Sequence, residues 1–208
     1  MLKIKVCGMT DPLNTRDIVK VSPDFIGFIF YPGSVRYVGK KPDESLFKAI
    51  PQGILKTGVF VNEDIPVIID LKKRYELDMI QLHGNEPAEY CNSLHNAGLT
   101  VIKAFGINDS FDFAALENYT DACNYFLFDT KTDSRGGSGL KFNWKKIGEY
   151  KLEKPFFLSG GIGPDDISSL KQLNHKSFFA VDINSRFEVR PGIKDRSKIE
   201  KFINAIKK

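Results

Sequence analysis

The chain has 208 residues, is 42% hydrophobic and 27% charged, and carries a formal net charge of +4. That length allows one large core or two small ones, and the composition is that of an ordinary globular protein. No apolar stretch approaches the ~20 residues of a membrane helix, and the mild, interspersed charge lacks the basic stripe of a nucleic-acid binder.

The N-terminus, Met1-Leu2-Lys3-Ile4-Lys5, lacks a signal peptide's apolar region, so a cytoplasmic address is the default expectation. The three cysteines, Cys7, Cys91 and Cys123, are far apart and form neither a disulfide framework nor a zinc spacing. His83, His95 and His175 are equally scattered, so no metal site is expected. A small positive excess suits an anionic small substrate, though it suits many other proteins too. Nothing in the sequence fixes the oligomeric state, and a monomer is the default.

Strand-like and helix-like segments alternate along the chain. The first apolar run, Lys3–Cys7, ends in a thiol followed by Gly8-Met9-Thr10-Asp11. Cys7 is either a small core hydrophobe or a reactive group, and its place before a helix N-terminus would favour thiolate. Asp11–Lys20 opens with a cap and a first-turn proline, the start of a helix.

The second run, Phe25–Phe30, leads into Tyr31-Pro32-Gly33-Ser34-Val35-Arg36. Arg36 there is either a solvated surface arginine or a clamp for a carboxylate. A helix is expected over Pro42–Ile50, a strand over Leu55–Val61 and a helix over Ile65–Tyr75. The fourth run, Met79–Leu82, continues into His83. Alternation puts Gln81 and His83 on one face, as a pocket wall or as a structural pair. Glu86–Ala97 ends at Gly98, a helix-stop signal.

A strand over Val101–Phe105 and a short helix over Phe111–Tyr119 follow. The sixth strand, Tyr125–Asp129, places an aspartate after three apolar residues. Partial desolvation would raise its pKa toward that of a usable acid, although a helix cap is the plainer reading. Lys131 to Gly139 is glycine-dense, and Gly136, Gly137, Ser138 and Gly139 read as a mobile loop that closes on a ligand or as a plain connection. A short helix is expected over Trp144–Tyr150.

The seventh strand, Phe156–Ser159, ends at Gly160-Gly161, ahead of a helix over Pro164–Leu173. The eighth, Phe178–Asp182, ends near Ser185-Arg186, ahead of a helix over Asp195–Lys207. Adjacent glycines let backbone N–H groups approach an anion.

Eight strand–helix units argue for a parallel sheet closed into a single-domain (β/α)8 TIM barrel over residues 1–208, with short loops. An open doubly wound sheet is the rival. Barrel active sites sit at the C-terminal strand ends, and the loops after strands seven and eight recurrently bind phosphate. Gly160, Gly161, Ser185 and Arg186 are therefore the expected phosphate cradle.

In combination, Cys7-Gly8-Met9-Thr10, Ser34-Val35-Arg36-Tyr37, Gln81-Leu82-His83-Gly84, Phe128-Asp129-Thr130, Ser159-Gly160-Gly161 and Pro191-Gly192-Ile193-Lys194-Asp195 resemble the phosphoribosylanthranilate isomerase family. The resemblance covers nearly the whole chain. It implies an Amadori rearrangement without metal or organic cofactor, on a small anionic phosphosugar. It implies Asp129 as general acid, Cys7 as general base, Arg36 on the substrate carboxylate, and no nucleic-acid or membrane partner. Two positions depart from the family pattern: Val35 stands for a proline and Arg186 for a glycine.

The histidine-pathway aminoaldose isomerase resembles a barrel with a carboxylate, not a thiol, at the first strand end. Indole-glycerol-phosphate synthase has lysine chemistry with no clear match here. A non-catalytic phosphosugar-binding barrel would keep the glycine loops but need neither Cys7 nor Asp129.

Overall fold

The computed structural model describes residues 1–131 and 141–207. The expected mobile loop, Gly136 to Gly139, lies outside the described residues.

Eight parallel strands close into a barrel in sequence order. They are β1 (Lys3–Val6), β2 (Phe25–Ile29), β3 (Leu55–Phe60), β4 (Met79–Leu82), β5 (Thr100–Ile107), β6 (Tyr125–Thr130), β7 (Phe156–Leu158) and β8 (Phe178–Ile183). Closure pairs β1 with β8, placing Lys5 opposite Asp182 and Val6 opposite Ile183.

The strands read as continuous apolar runs because both their faces are covered. Outward residues, including Phe28, Phe60, Phe126, Phe128 and Phe156, pack against the surrounding helices in one large cluster. Inward residues form a second cluster of Phe25, Met79, Ile102, Ala104, Leu127, Phe157 and Ala180. Burying each Phe, Met, Ile or Leu side chain of this cluster contributes about 1.5–3 kcal/mol. Further along the strands the inward positions turn polar: Lys5, Gln81, Asp129 and Asp182. The barrel thus has an apolar floor under a polar upper layer.

The helices are α1 (Pro12–Val19), α2 (Ser45–Lys48), α3 (Ile65–Tyr75), α4 (Ala88–Asn96), α5 (Ile167–Gln172) and α6 (Arg196–Lys207). Asp11 caps α1, accepting from the Asn14 backbone N–H at 2.7 Å, and Pro12 fills the first turn. Several expected helices are shorter or tighter. The helix over Pro42–Ile50 is one turn, Ser45–Lys48. Phe113–Tyr119 and Trp144–Glu149 are 3-10 turns, which suit short connections where few residues are available. None of the described helices is long and apolar enough to cross a membrane.

One element was not expected. After β8 and a 3-10 turn (Ser185–Phe187), β9 (Glu188–Arg190) pairs antiparallel with β10 (Ile193–Lys194). Gly192 turns the hairpin at φ +83, and a Cβ there would run into the Thr10 hydroxyl. Asn14 stitches the hairpin to α1, donating to the Lys194 carbonyl at 2.9 Å and accepting from its N–H at 2.8 Å. These contacts swing Glu188 and Lys194 back over the end of β1.

Candidate active site

Cys7 follows β1, and its N–H donates to the Ile183 carbonyl on β8 at 2.9 Å. It is 4% exposed. The sequence placed it before a helix N-terminus favouring thiolate, but α1 begins five residues later and its N-terminus is already capped by Asp11. Burial pushes the Cys7 thiol up, opposed by the Lys5 ammonium, while Asp182 pushes it up further. The neutral thiol is therefore the resting form, and the helix is not what would ionise it.

Beside Cys7 lies a buried ion pair that the sequence did not suggest. Lys5 Nζ bonds Asp182 Oδ2 at 2.9 Å, with the lysine side chain fully buried. A lysine between Ile4 and Val6 in a strand covered on both faces is an anomaly that could have signalled an interior role.

Asp129 sits on β6 with its side chain 23% exposed. Its Oδ1 accepts from the Thr130 N–H at 2.8 Å, and Oδ2 lies 3.3 Å from His83 Nε2. Gln81 Nε2 lies 2.8 Å from His83 Nδ1. The amide donates to Nδ1, so Nε2 carries the proton facing Asp129. The expectation that Gln81 and His83 share a face holds, and they form one oriented unit with the aspartate.

Arg36 corrects the picture of a surface arginine: it is 7% exposed and already grips a carboxylate. Its Nε and Nη2 donate to Glu188 Oε1 and Oε2 at 2.8 and 2.7 Å. Lys194 Nζ adds bonds to Glu188 Oε1 and Asn184 Oδ1, each 2.6 Å. Burial favours the neutral Glu188, but Arg36 and Lys194 overcome it and hold the carboxyl below its usual range. Burial lowers Lys194 itself despite Glu188. Two cations thus share one protein anion near the Cys7 end of the barrel. Neighbouring Val35 is 74% exposed.

Gly160 and Gly161 follow β7 at φ +91 and +64, conformations that favour glycine. A Cβ on Gly160 would come within 2.6 Å of the Thr130 nitrogen and 2.9 Å of Asp129 Oδ1. Ser185 and Arg186 lie in the 3-10 turn after β8. A Cβ on Gly163 would lie 3.6 Å from Arg186 Cβ, so the two loops meet. Cys91 and Cys123 are buried away from this mouth in the outer core.

A closed parallel barrel with a thiol, an aspartate–histidine pair and an arginine clamp at its C-terminal strand ends belongs to the class of (β/α)8-barrel enzymes. Residues 4–205 match the family model described as N-(5'-phosphoribosyl)anthranilate (PRA) isomerase. The chain is 43% identical over 204 residues to the N-(5'-phosphoribosyl)anthranilate isomerase of Parabacteroides distasonis, covering 98% of this chain and 92% of that one. It superposes on the crystal structure of phosphoribosyl anthranilate isomerase from Thermotoga maritima with a TM-score of 0.87 at 34% identity, over 100% of this chain and 99% of that one. A further solved phosphoribosyl anthranilate isomerase, 32% identical with a TM-score of 0.83 over 100% of this chain and 99% of that one, is in complex with reduced 1-(o-carboxyphenylamino)-1-deoxyribulose 5-phosphate. This chain belongs to the phosphoribosylanthranilate isomerase family of tryptophan biosynthesis, and it is an isomerase.

Proposed function

We propose that residues 1–208 form one catalytic domain converting N-(5-phospho-β-D-ribosyl)anthranilate to 1-(2-carboxyphenylamino)-1-deoxy-D-ribulose 5-phosphate, with Asp129 as general acid and Cys7 as general base. Protonated Asp129 donates to the furanose ring oxygen. The C1′–O bond breaks and the anilino nitrogen lone pair forms the C1′=N bond of a Schiff base. Cys7, as thiolate, removes the C2′ proton. The resulting enolamine takes a proton at C1′ and becomes the ketone, so no redox cofactor enters the balance. His83 Nε2–H orients the Asp129 carboxyl, and Gln81 holds His83.

The remaining groups suit the two ends of this substrate. Arg36, backed by Glu188, would bind the anthranilate carboxylate through guanidinium N–H groups that Glu188 does not use. Backbone at Gly160 and Gly161, with Ser185 and Arg186, would hold the phosphate. The Gln81–His83 wall would line the pocket between. A cytoplasmic location fits such a biosynthetic step.

The observation supporting this reading is that Cys7 follows β1 and Asp129 lies near the end of β6 at the same rim of the barrel, with the buried Lys5–Asp182 pair beside the thiol and His83 Nε2 3.3 Å from the aspartate. The test follows the loss of anthranilate-derivative fluorescence with purified protein. Cys7→Ala and Asp129→Asn should each cut turnover by at least ~100-fold, the scale of general acid–base catalysis, with the fold intact by circular dichroism. Near-wild-type turnover in either variant removes that residue's role. Phosphosugar binding without any turnover in the wild-type protein would favour a binding protein instead.

A further inference from the structure

We infer that Lys5 is the positioning residue that makes Cys7 usable as a base, because its one buried ammonium serves either the Cys7 thiolate or the Asp182 carboxylate. This rests on the reading of Cys7 as general base. Lys5 and Cys7 are two apart at the end of β1, so both face the barrel interior. Asp182 stands opposite Lys5 in the β1–β8 register and bonds its Nζ at 2.9 Å. The Lys5 charge acts on the Cys7 thiol as well, opposing the upward push of burial.

Charge balance makes this arrangement selective. A thiol with an Asp182 carboxylate balances the ammonium. So does a thiolate with protonated Asp182. A thiolate and a carboxylate together leave one buried negative charge uncompensated, which is costly. The two acids therefore titrate as a coupled pair around one cation. Asp182 Oδ1 fits this role: it is buried and has no hydrogen-bond partner among the described residues. Lys5 holds the carboxylate through Oδ2 alone, so Oδ1 is the oxygen open to the proton that leaves Cys7.

The other charges facing this group are few. Lys194 on β10 acts on Cys7, less strongly than Lys5. Lys194 is itself engaged by Glu188, which Arg36 also holds. Asp129 on β6 and His83 after β4 act on Asp182 in opposite senses. Burial pushes both Cys7 and Asp182 up. Burial opposes the Lys5 charge as well, but the two acids more than restore it.

The test is a pH titration of 13Cβ-cysteine NMR signals in the full chain, with Cys7→Ser to assign the Cys7 resonance. Cys91 and Cys123, which burial pushes up to about 11 and about 12, serve as internal references. Asp182→Asn frees the ammonium for the thiolate, so Cys7 should titrate about one unit or more lower. Lys5→Met should move it higher and cut kcat at least tenfold at neutral pH, with KM little changed. Lys5→Met leaves Asp182 unpaired and can misfold. The double variant Lys5→Met/Asp182→Asn removes both charges together, and its Cys7 should still titrate above wild type. The alkaline-rising limb of kcat against pH should move in the same directions.

A Cys7 titration that stays put or rises in Asp182→Asn overturns the inference. So does one that responds to Lys194→Met but not to the double variant. A fully active Cys7→Ser variant would instead remove Cys7 as base while leaving the NMR titration to decide the coupling.

Discussion

The Cys7 sulfur fills the space that a side chain at Gly27 would need. A Cβ built on Gly27 lies 2.8 Å from Sγ and 3.1 Å from the Cys7 Cα. Gly27 also accepts, through its carbonyl, the N–H groups of Gly8 and Met9 at 2.9 and 3.1 Å. Strand β2 therefore sets both the room for the thiol and the turn that follows it. Gly27→Ala should push Cys7 out of place and cut kcat by about 100-fold with a smaller effect on KM, since an ångström of misplacement can cost that much. Steady-state fluorescence kinetics would measure it, and an unchanged kcat would mean the thiol position is not critical.

The Gln81–His83–Asp129 chain predicts a graded effect. Gln81→Leu removes the donor that keeps the His83 proton on Nε2, so the ring is free to present a lone pair to the carboxyl. Losing about 1.4 kcal/mol of orientation corresponds to a tenfold drop in kcat. Histidine 15N chemical shifts should show Nε2–H as the dominant tautomer in the wild type and a mixture in Gln81→Leu.

The eight strands and most helix starts were legible because the barrel demands repeated physical signals: apolar runs covered on both faces, then caps such as Asp11-Pro12. Residues at strand ends, Cys7, His83 and Asp129, were legible for the same reason. The polar interior was not. Lys5 becomes an anomaly only once its strand is known to be covered on both faces, and its partner Asp182 emerges only from the β1–β8 register. The β9–β10 hairpin escaped because its strands are three and two residues long, too short for any periodicity. With it went Glu188, and so the sequence could offer Arg36 a substrate carboxylate but not the protein carboxylate it holds.

That network predicts an acid limb in stability. The Glu188 folded pKa lies below its ordinary value, so its contribution is present above about pH 4.3 and is lost as pH falls through the folded pKa. Glu188→Gln removes this contribution at neutral pH and leaves Arg36 and Lys194 buried without their anion. The cost should be about 3–5 kcal/mol, the scale for breaking a buried pair from one side. Thermal melts across pH 3 to 7 should therefore be flatter at their acid end in the variant than in the wild type, and lower throughout the neutral range.

Two glycines in one loop give a sharp contrast. Gly160 combines φ +91 with a Cβ position that meets the Thr130 hydroxyl and backbone nitrogen, and Asp129 Oδ1 at 2.9 Å. Neither the backbone nor the carboxyl can yield without moving the proposed acid. Gly160→Ala should therefore lower kcat by about 100-fold, and stability should fall as well because the left-handed backbone is strained for alanine. Gly163 lies only three residues on at φ −129, in extended backbone that any residue adopts. The nearest atoms to a Cβ there, Arg186 Cβ and Cγ, are 3.6 and 3.7 Å away, ordinary contact distances. Gly163→Ala should leave kcat within about twofold of wild type, a change of under ~0.5 kcal/mol in the barrier. Kinetics and melting temperatures of the two variants side by side separate a constraint on Asp129 from a general intolerance of the loop: equal losses in both would place the sensitivity in the loop and not in the acid.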